Sequence, residues 1–158
     1  MKNNNIKTPV VLLGGGGHCK SCIDIIEQTG QFEIIGILDP QLKIGERVLQ
    51  YQVLGTDDDI PGLLKSVRHF FITMGQIKSS ERRVALYKMI KSFKGELPVI
   101  ISPSAYVSRH SHVGEGTIIM HHAVVNAGST IGTNCIINTK ALIEHDASIG
   151  DQDRKSVV

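Results

Sequence analysis

Nine aliphatic residues stand at every sixth position through the second half of this 158-residue chain: Ile101, Val107, Val113, Ile119, Val125, Ile131, Ile137, Ile143 and Ile149. An α-helix repeats its faces every 3.6 residues and a strand every 2, so neither element accounts for a period of six. Glycine follows the aliphatic residue at Gly114, Gly132 and Gly150, and alanine stands four places after it at Ala105, Ala123, Ala141 and Ala147. A triangular β-coil does repeat in sixes, with three short faces per turn and one aliphatic side chain per face pointing into a shared core. Each coil then takes about 18 residues, and successive coils stack at the inter-strand spacing of about 4.8 Å. The spacing predicts a hexapeptide-repeat parallel β-helix over residues 98–151. Such a prism is in itself purely structural, so any chemistry has to come from its surface residues.

The first half, residues 1–97, carries a different pattern. Val10–Leu13 reads as a short buried strand, and Cys19–Gln28 places Cys22, Ile23 and Ile26 at helical spacing. Phe32–Leu38 reads as a second strand closed by Asp39-Pro40, and Arg47–Leu54 as a weaker strand or hairpin ended by Gly55. A short helix follows over Asp57–Lys65 behind an acidic first turn, then a strand over Arg68–Thr73. Ser79 or Ser80 caps a helix running to about Phe93, with Val84, Tyr87 and Ile90 on one face. Alternating strands and helices predict a small Rossmann-like α/β domain: a parallel sheet with helices on both sides. Ligands of such sheets bind at the carboxyl ends of the strands, where the glycine loop, Asp39 and the Met74-Gly75-Gln76 turn all fall.

The loop between the first strand and helix reads VVLLGGGGHCKS, from Val10 to Ser21. It matches neither of two familiar phosphate loops. A Walker A loop needs glycine directly before the lysine, and Cys19 precedes Lys20. A dinucleotide fingerprint needs a third glycine where Cys19 or Lys20 stands. Four glycines still allow close backbone approach, and the helix that follows offers free N–H groups to an anion. The loop points to a phosphorylated ligand without naming it, and a tight β-to-α turn with no ligand remains the alternative.

Bulk properties narrow the field further. Seventeen basic and 15 acidic residues are spread along the chain, with no basic block, which argues against nucleic acid. No run is apolar for long enough to span a membrane, and MKNNNIKTP lacks an apolar signal core, so the expectation is a cytoplasmic protein. Cys19 and Cys22 have redox or zinc-pair spacing, but Cys135 completes no second pair; the three read as small buried residues. His110, His112, His121 and His122 cluster in sequence, yet no two are 18 apart and none would stack on another, so no metal site is expected. They read as coil-surface residues.

Taken together, the chain resembles the sugar acyltransferases of the sialic-acid O-acetyltransferase and UDP-N-acetylbacillosamine N-acetyltransferase type. The resemblance runs from Val10 to about Asp151 and rests on Gly14-x-x-Gly17-His18-x-Lys20, Ile37-Leu38-Asp39, Met74-Gly75 followed by Arg82, and Asn138-Thr139-x-x-x-Ile143-Glu144-His145-Asp146. It implies a left-handed β-helix, a homotrimer, acetyl-CoA as acyl donor, no metal, and an amino or hydroxyl group of a nucleotide-activated sugar as acceptor, as in bacterial surface-glycan biosynthesis. On that resemblance Gly14, Gly15, Gly16 and Gly17 cradle a diphosphate, His18 and Lys20 supply donors, Asp39 meets the nucleoside, Gly75 lines the same site, and Asn138 helps place the substrate. His145 is the implied general base. Its chemistry suits the role, because histidine titrates near neutrality and a carboxylate at Asp146 or Glu144 can orient the ring; the family pattern selects Asp146. Read alone, Asp39 could equally be a turn former before Pro40, and His145 a solvated corner residue.

At position 155 the six-residue rule calls for an aliphatic residue and meets Lys155, so residues 152–158 read as a tail without coil pattern. Family members continue for several more coils. The expectation is therefore a chain that has lost much of its acetyl-CoA groove, which leaves open a catalytically impaired sugar-nucleotide-binding or assembly module.

Overall fold

The computed structural model describes residues 6–75 and 79–155; Gln76 of the expected turn and Ser156–Val158 of the expected tail lie outside these. The α/β half contains β1 (Thr8–Leu13), α1 (Gly17–Thr29), β2 (Phe32–Leu38), β3 (Arg47–Val48), β4 (Tyr51–Gly55), α2 (Ile60–Leu63), β5 (His69–Ile72) and α3 (Glu81–Ser92). A single 3-10 turn, Asp57–Asp59, leads into α2. The five strands lie in the order β3-β4-β2-β1-β5, parallel throughout except for the β3–β4 hairpin. Leu13 pairs with both Leu38 and Ile72, which brings the carboxyl ends of β1, β2 and β5 to one level.

Val10 to Leu13 are fully buried because β1 is central and covered on both faces. On one side lies α1, whose Cys19, Cys22, Ile23 and Ile26 form the expected stripe; Ile25 is buried as well. The stripe is wider than a surface helix needs because α1 is sandwiched, with the sheet on one side and the β-helix on the other. Gly30, at φ 66°, ends α1 in the left-handed conformation that glycine adopts without strain. The other side of the sheet carries α2 and α3. The buried face of α3 is Arg83, Leu86 and Ile90, rotated from the expected Val84, Tyr87 and Ile90, because a polar turn of the β-helix meets it at Arg83.

The second half is the expected left-handed parallel β-helix. Its strands are β6 (Ile100–Ile101), β7 (Tyr106–Val107), β8 (His112–Val113), β9 (Ile118–Ile119), β10 (Val124–Val125), β11 (Thr130–Ile131), β12 (Ile136–Ile137), β13 (Leu142–Ile143), β14 (Ser148–Ile149) and β15 (Arg154–Lys155). They form three parallel sheets, β6-β9-β12-β15, β7-β10-β13 and β8-β11-β14. Val125 stands opposite Val107 and Ile143, so the repeat brings every eighteenth residue into register. The inward aliphatics and small residues close one core that includes Ile119, Ala123, Val125, Ile131, Ile137 and Ala141.

Outward residues give the three faces different fates. Ile100, Ile118 and Ile136 on the first face are buried in the same cluster as α1. On the second face Tyr106 and Leu142 are exposed beside Val124. The third shows His112, Thr130 and Ser148. One expectation is corrected at the tail. Coil structure continues past Asp151, since Arg154–Lys155 pairs in register with Ile136–Ile137. Backbone bonds hold this strand (Ile136 N–H to Asp153 O, 2.9 Å; Asn138 N–H to Lys155 O, 2.9 Å), and the Lys155 ammonium reaches Asp153 at 2.8 Å. A lysine stem tolerates such a place because its charged end can leave the apolar surface that its methylenes cover.

Candidate functional site

The glycine loop opens a cavity of about 310 Å³ at the carboxyl ends of β1, β2 and β5, lined by Gly14, Gly16, Gly17, His18, Asp39, Gln41, Met74, Gly75 and Arg82. Gly14 has φ +105°, and a Cβ there would stand 2.8 Å from the Met74 Cβ, so only glycine serves at this turn. Gly16 and Gly17 meet nothing within 4 Å of an added Cβ; the loop is open where the helix begins. Gly16 is the N-cap of α1, with no side-chain cap and no acidic residue in the first turn, and Gly16, Gly17 and His18 at this terminus line the cavity.

Asp39 braces this loop. Its Oδ2 accepts from the Gly15 N–H at 2.7 Å and its Oδ1 from the Gln41 N–H at 2.8 Å. Both oxygens keep a lone pair for a further donor. Thr73 donates to the Gly14 carbonyl at 2.6 Å, and the Thr73 and Met74 N–H groups both bond Leu13 O, which ties the β5 exit to the β1 exit.

His18 lies against Gly75, and its Nε2 is buried without a partner. Burial, followed by the nearby Arg83 and Arg154 charges, pushes its pKa down to about 4, so the ring is neutral at pH 7 and carries one N–H. Because the folded value lies below the unfolded one, the protein loses stability as pH falls from about 6.5 towards 4. A two-unit fall across that window corresponds to roughly 2 to 3 kcal/mol from this group. A His18→Gln variant should therefore lose less stability than the parent between pH 6.5 and 4.5, read from urea midpoints. Equal losses would exclude His18 as an acid-sensitive group.

Lys20 is exposed on the first turn of α1 and is not part of the cavity lining. His145 and Asp146 lie elsewhere, on the turn between β13 and β14. His145 Nδ1 stands 2.9 Å from Asp146 Oδ2, with the two side chains 77% and 80% exposed. The hydrogen bond and charge of Asp146 raise the histidine pKa above its usual 6.5. Asp146 adopts φ 59°, a left-handed turn position that aspartate tolerates better than most residues. On the neighbouring coil Asn126 donates to Glu144 at 3.2 Å, so Glu144 is held by the coil and Asp146 alone faces the ring. Asn138 occupies a different corner, between β12 and β13, where its side-chain amide donates to the Lys155 carbonyl at 2.9 Å. The structure thus brings together the glycine loop, His18, Asp39 and Gly75, and separately His145 with Asp146, while Asn138 lies on another coil corner than His145.

Sequence reading missed Gln41 and gave no role to Arg82, which lines the cavity and pairs with Asp57 at 2.9 Å. His121 is also more engaged than expected: its ring bridges Asp24 on α1 (2.9 Å) and Ser102 on the first coil (2.7 Å), a pin between the two halves. The three cysteines are buried and free. Burial pushes Cys19 up to about 11 and Cys22 higher still, so both are held as neutral thiols. Among the described residues no group of three or more His, Cys, Asp or Glu is placed to hold a metal ion, and no helix is long and apolar enough to cross a membrane.

Known proteins share this architecture. Residues 9–89 match the PglD N-terminal domain family. A histidine-to-asparagine variant of perosamine N-acetyltransferase from Caulobacter crescentus, solved in complex with CoA and GDP-perosamine, is 31% identical and superposes with a TM-score of 0.85 over 94% of this chain and 68% of that one. The acetyltransferase domain of PglB from Neisseria gonorrhoeae, in complex with acetyl coenzyme A, gives a TM-score of 0.85 at 28% identity over 94% of this chain and 70% of that one. An uncharacterized protein of Acanthamoeba polyphaga mimivirus is 32% identical over 134 residues, and the chain spans 25% of that curated relative's length. An α/β glycine-loop domain carried on a hexapeptide prism is the architecture that this chain shares with these acetyltransferases. The chain belongs to the hexapeptide-repeat sugar acetyltransferase family.

Proposed function

We propose that the protein transfers the acetyl group of acetyl-CoA to a nucleotide-activated sugar, with the sugar nucleotide in the glycine-loop cavity and His145 as general base. Similarity to perosamine N-acetyltransferase favours an amino group over a hydroxyl as acceptor. An amino sugar of the sialic-acid-like or bacillosamine type, made in the cytoplasm for a surface glycan, fits this reading. The observation that carries it is the His145–Asp146 pair on an exposed coil corner. A proton on Nδ1, held by the Asp146 carboxylate, leaves the Nε2 lone pair as the base. The amine nitrogen attacks the thioester carbonyl and its proton passes to Nε2. The C–S bond then breaks, and the CoA thiolate leaves and takes up a proton. Exposed N–H groups at the α1 terminus and the Arg82 guanidinium suit a diphosphate, and Asp39 and Gln41 offer groups to the nucleoside.

The prism geometry supports a homotrimer. The first face is covered by the chain's own α/β half, and His145 occupies the edge opposite that face, between the other two. A sugar held by the glycine loop of one chain meets His145 of a neighbour, and the stripe of exposed Tyr106 and Leu142 with half-buried Val124 between them is the apolar surface for such a neighbour. Light scattering should give three times the chain mass.

Calorimetry with UDP-, GDP- and CMP-sugars tests the cavity. Gly17→Asp is the informative variant, because open space receives the side chain and an aspartate in the first turn favours the helix. The same charge faces the diphosphate. Binding should weaken at least about tenfold, from an unfavourable charge interaction of about 1.4 kcal/mol or more, with an unchanged or higher Tm. Undiminished affinity would remove the diphosphate from the α1 terminus.

A further inference from the structure

Below the glycine loop lies a buried arginine bonded only to neutral groups. Arg83 is 1% exposed, and none of the ion pairs among the described residues includes it. Burial lowers its pKa to about 10, which leaves it charged at neutral pH. Its Nη1 donates to the carbonyls of Ile72 (3.1 Å) and Met74 (2.6 Å) at the exit of β5. Its Nη2 donates to the backbone carbonyl (3.2 Å) and Oδ1 (2.7 Å) of Asn134, in the coil turn between β11 and β12. Asn134 is itself fully buried at φ 52°, and its side-chain amide returns to the Arg83 carbonyl and to Gln152.

A buried guanidinium without a counter-charge is expensive, and an apolar side chain of the same volume would pack as well. What the arginine adds is geometry: a rigid planar fork that can grip two backbone segments at once. One prong holds the segment that walls the glycine-loop cavity. Met74 packs on Gly14 so closely that no Cβ fits there, and Gly75 stands against His18. The other prong holds the β-helix. Where Met74 sits is therefore tied to a residue of the prism that lines no part of the cavity.

We propose that Arg83 and Asn134 are positioning residues for the glycine-loop cavity: the coil turn at Asn134, acting through the Arg83 fork, sets the place of the Met74–Gly75 wall and thereby the affinity for a phosphorylated ligand. The ligand half of this proposal rests on the reading of the cavity given above. A prism substitution then weakens binding in the α/β half, which packing alone does not require.

Asn134→Gly in the full chain is the primary test, since glycine accepts φ 52° and removes only the side-chain acceptor and amide. Expected results are amide exchange at Thr73 and Met74 at least tenfold faster than in the parent, with Leu12 and Leu13 unchanged, and a five- to twentyfold loss of affinity for UDP or GDP. Arg83→Met should show the same changes, and Arg83→Lys should restore part of each, because one ammonium reaches one of the two segments. Unchanged Thr73 and Met74 exchange in a folded Asn134→Gly protein would overturn the proposal, and that variant decides the matter if Arg83→Met does not fold. Faster exchange with full UDP and GDP affinity would overturn its ligand half. If the parent itself binds neither nucleotide, the cavity reading falls, while amide exchange still decides whether the fork sets the wall.

Discussion

Val125→Asp should abolish the folded β-helix. Val125 is fully buried at the middle of a column whose neighbours above and below are Val107 and Ile143. Its side chain sits in an apolar core that includes Ile119, Ala123, Ile131 and Ile137. An aspartate there either stays ionised at a very large desolvation penalty or takes up a proton and leaves hydroxyl and carbonyl unbonded. The second route still costs several kcal/mol, and the lost packing of the valine adds about 1 to 3 kcal/mol more. Since whole domains are stable by only about 5–15 kcal/mol, the sum is enough to unfold the prism or lower its midpoint far below the parent's. Thr130→Asp is the matched control. It points outward from the neighbouring face and is exposed, so its change should stay within about 0.5 kcal/mol. Circular dichroism melts of the three proteins read both effects. A Val125→Asp protein that melts with the parent would mean that residue 125 does not face a closed core.

The contrast between Val125 and Thr130 also shows why so much of the fold is legible in sequence. In the β-helix every coil repeats the same demand at one position in six, so nine aliphatic residues report one geometry. The α/β half is legible for a different reason: β1 is buried on both faces and shows it as an unbroken apolar run, and α1 buries a helical stripe that reads at Cys22, Ile23 and Ile26. Legibility fails where one element answers to two partners. Ile25 and the buried face of α3 are set by the β-helix as well as the sheet, and partners as distant in sequence as Asn134 and Ile136 leave no local signal. Arg83 is the sharpest case. An arginine three and seven places before apolar core residues reads as a solvated edge, and only the Asn134 turn explains it. Lys155 fails in the opposite sense, because the rule expects a side chain while the ladder needs only backbone. At the candidate site, Gly14 is legible because its φ of +105° and the nearness of Met74 demand glycine, and Asp39 because its carboxylate accepts the Gly15 N–H of the same loop. Gln41 is not, because nothing about a glutamine after Pro40 signals the cavity it lines.

The second large effect concerns His145. Thiol release from acetyl-CoA in the presence of an amino-sugar nucleotide should fall by about 10²–10⁴-fold in His145→Ala, the usual contribution of a general base, equivalent to about 3–5 kcal/mol of barrier. Because the side chain is 77% exposed and bonded only to Asp146, its removal should leave the Tm where it was. The pH profile carries a second, independent sign. With His145 as the proposed base the active form is the neutral imidazole, and Asp146 raises its pKa, so the acid limb of the rate profile should lie above 6.5. In Asp146→Asn the charge is gone and the limb should move to lower pH. The plateau rate should also fall, because the ring loses the acceptor that holds its proton on Nδ1 and stabilises the imidazolium formed during attack. A merely structural role for Asp146 would lower the rate without moving the limb. If the parent turns over and His145→Ala matches it at every pH, another group takes the proton and the base lies elsewhere on the coil.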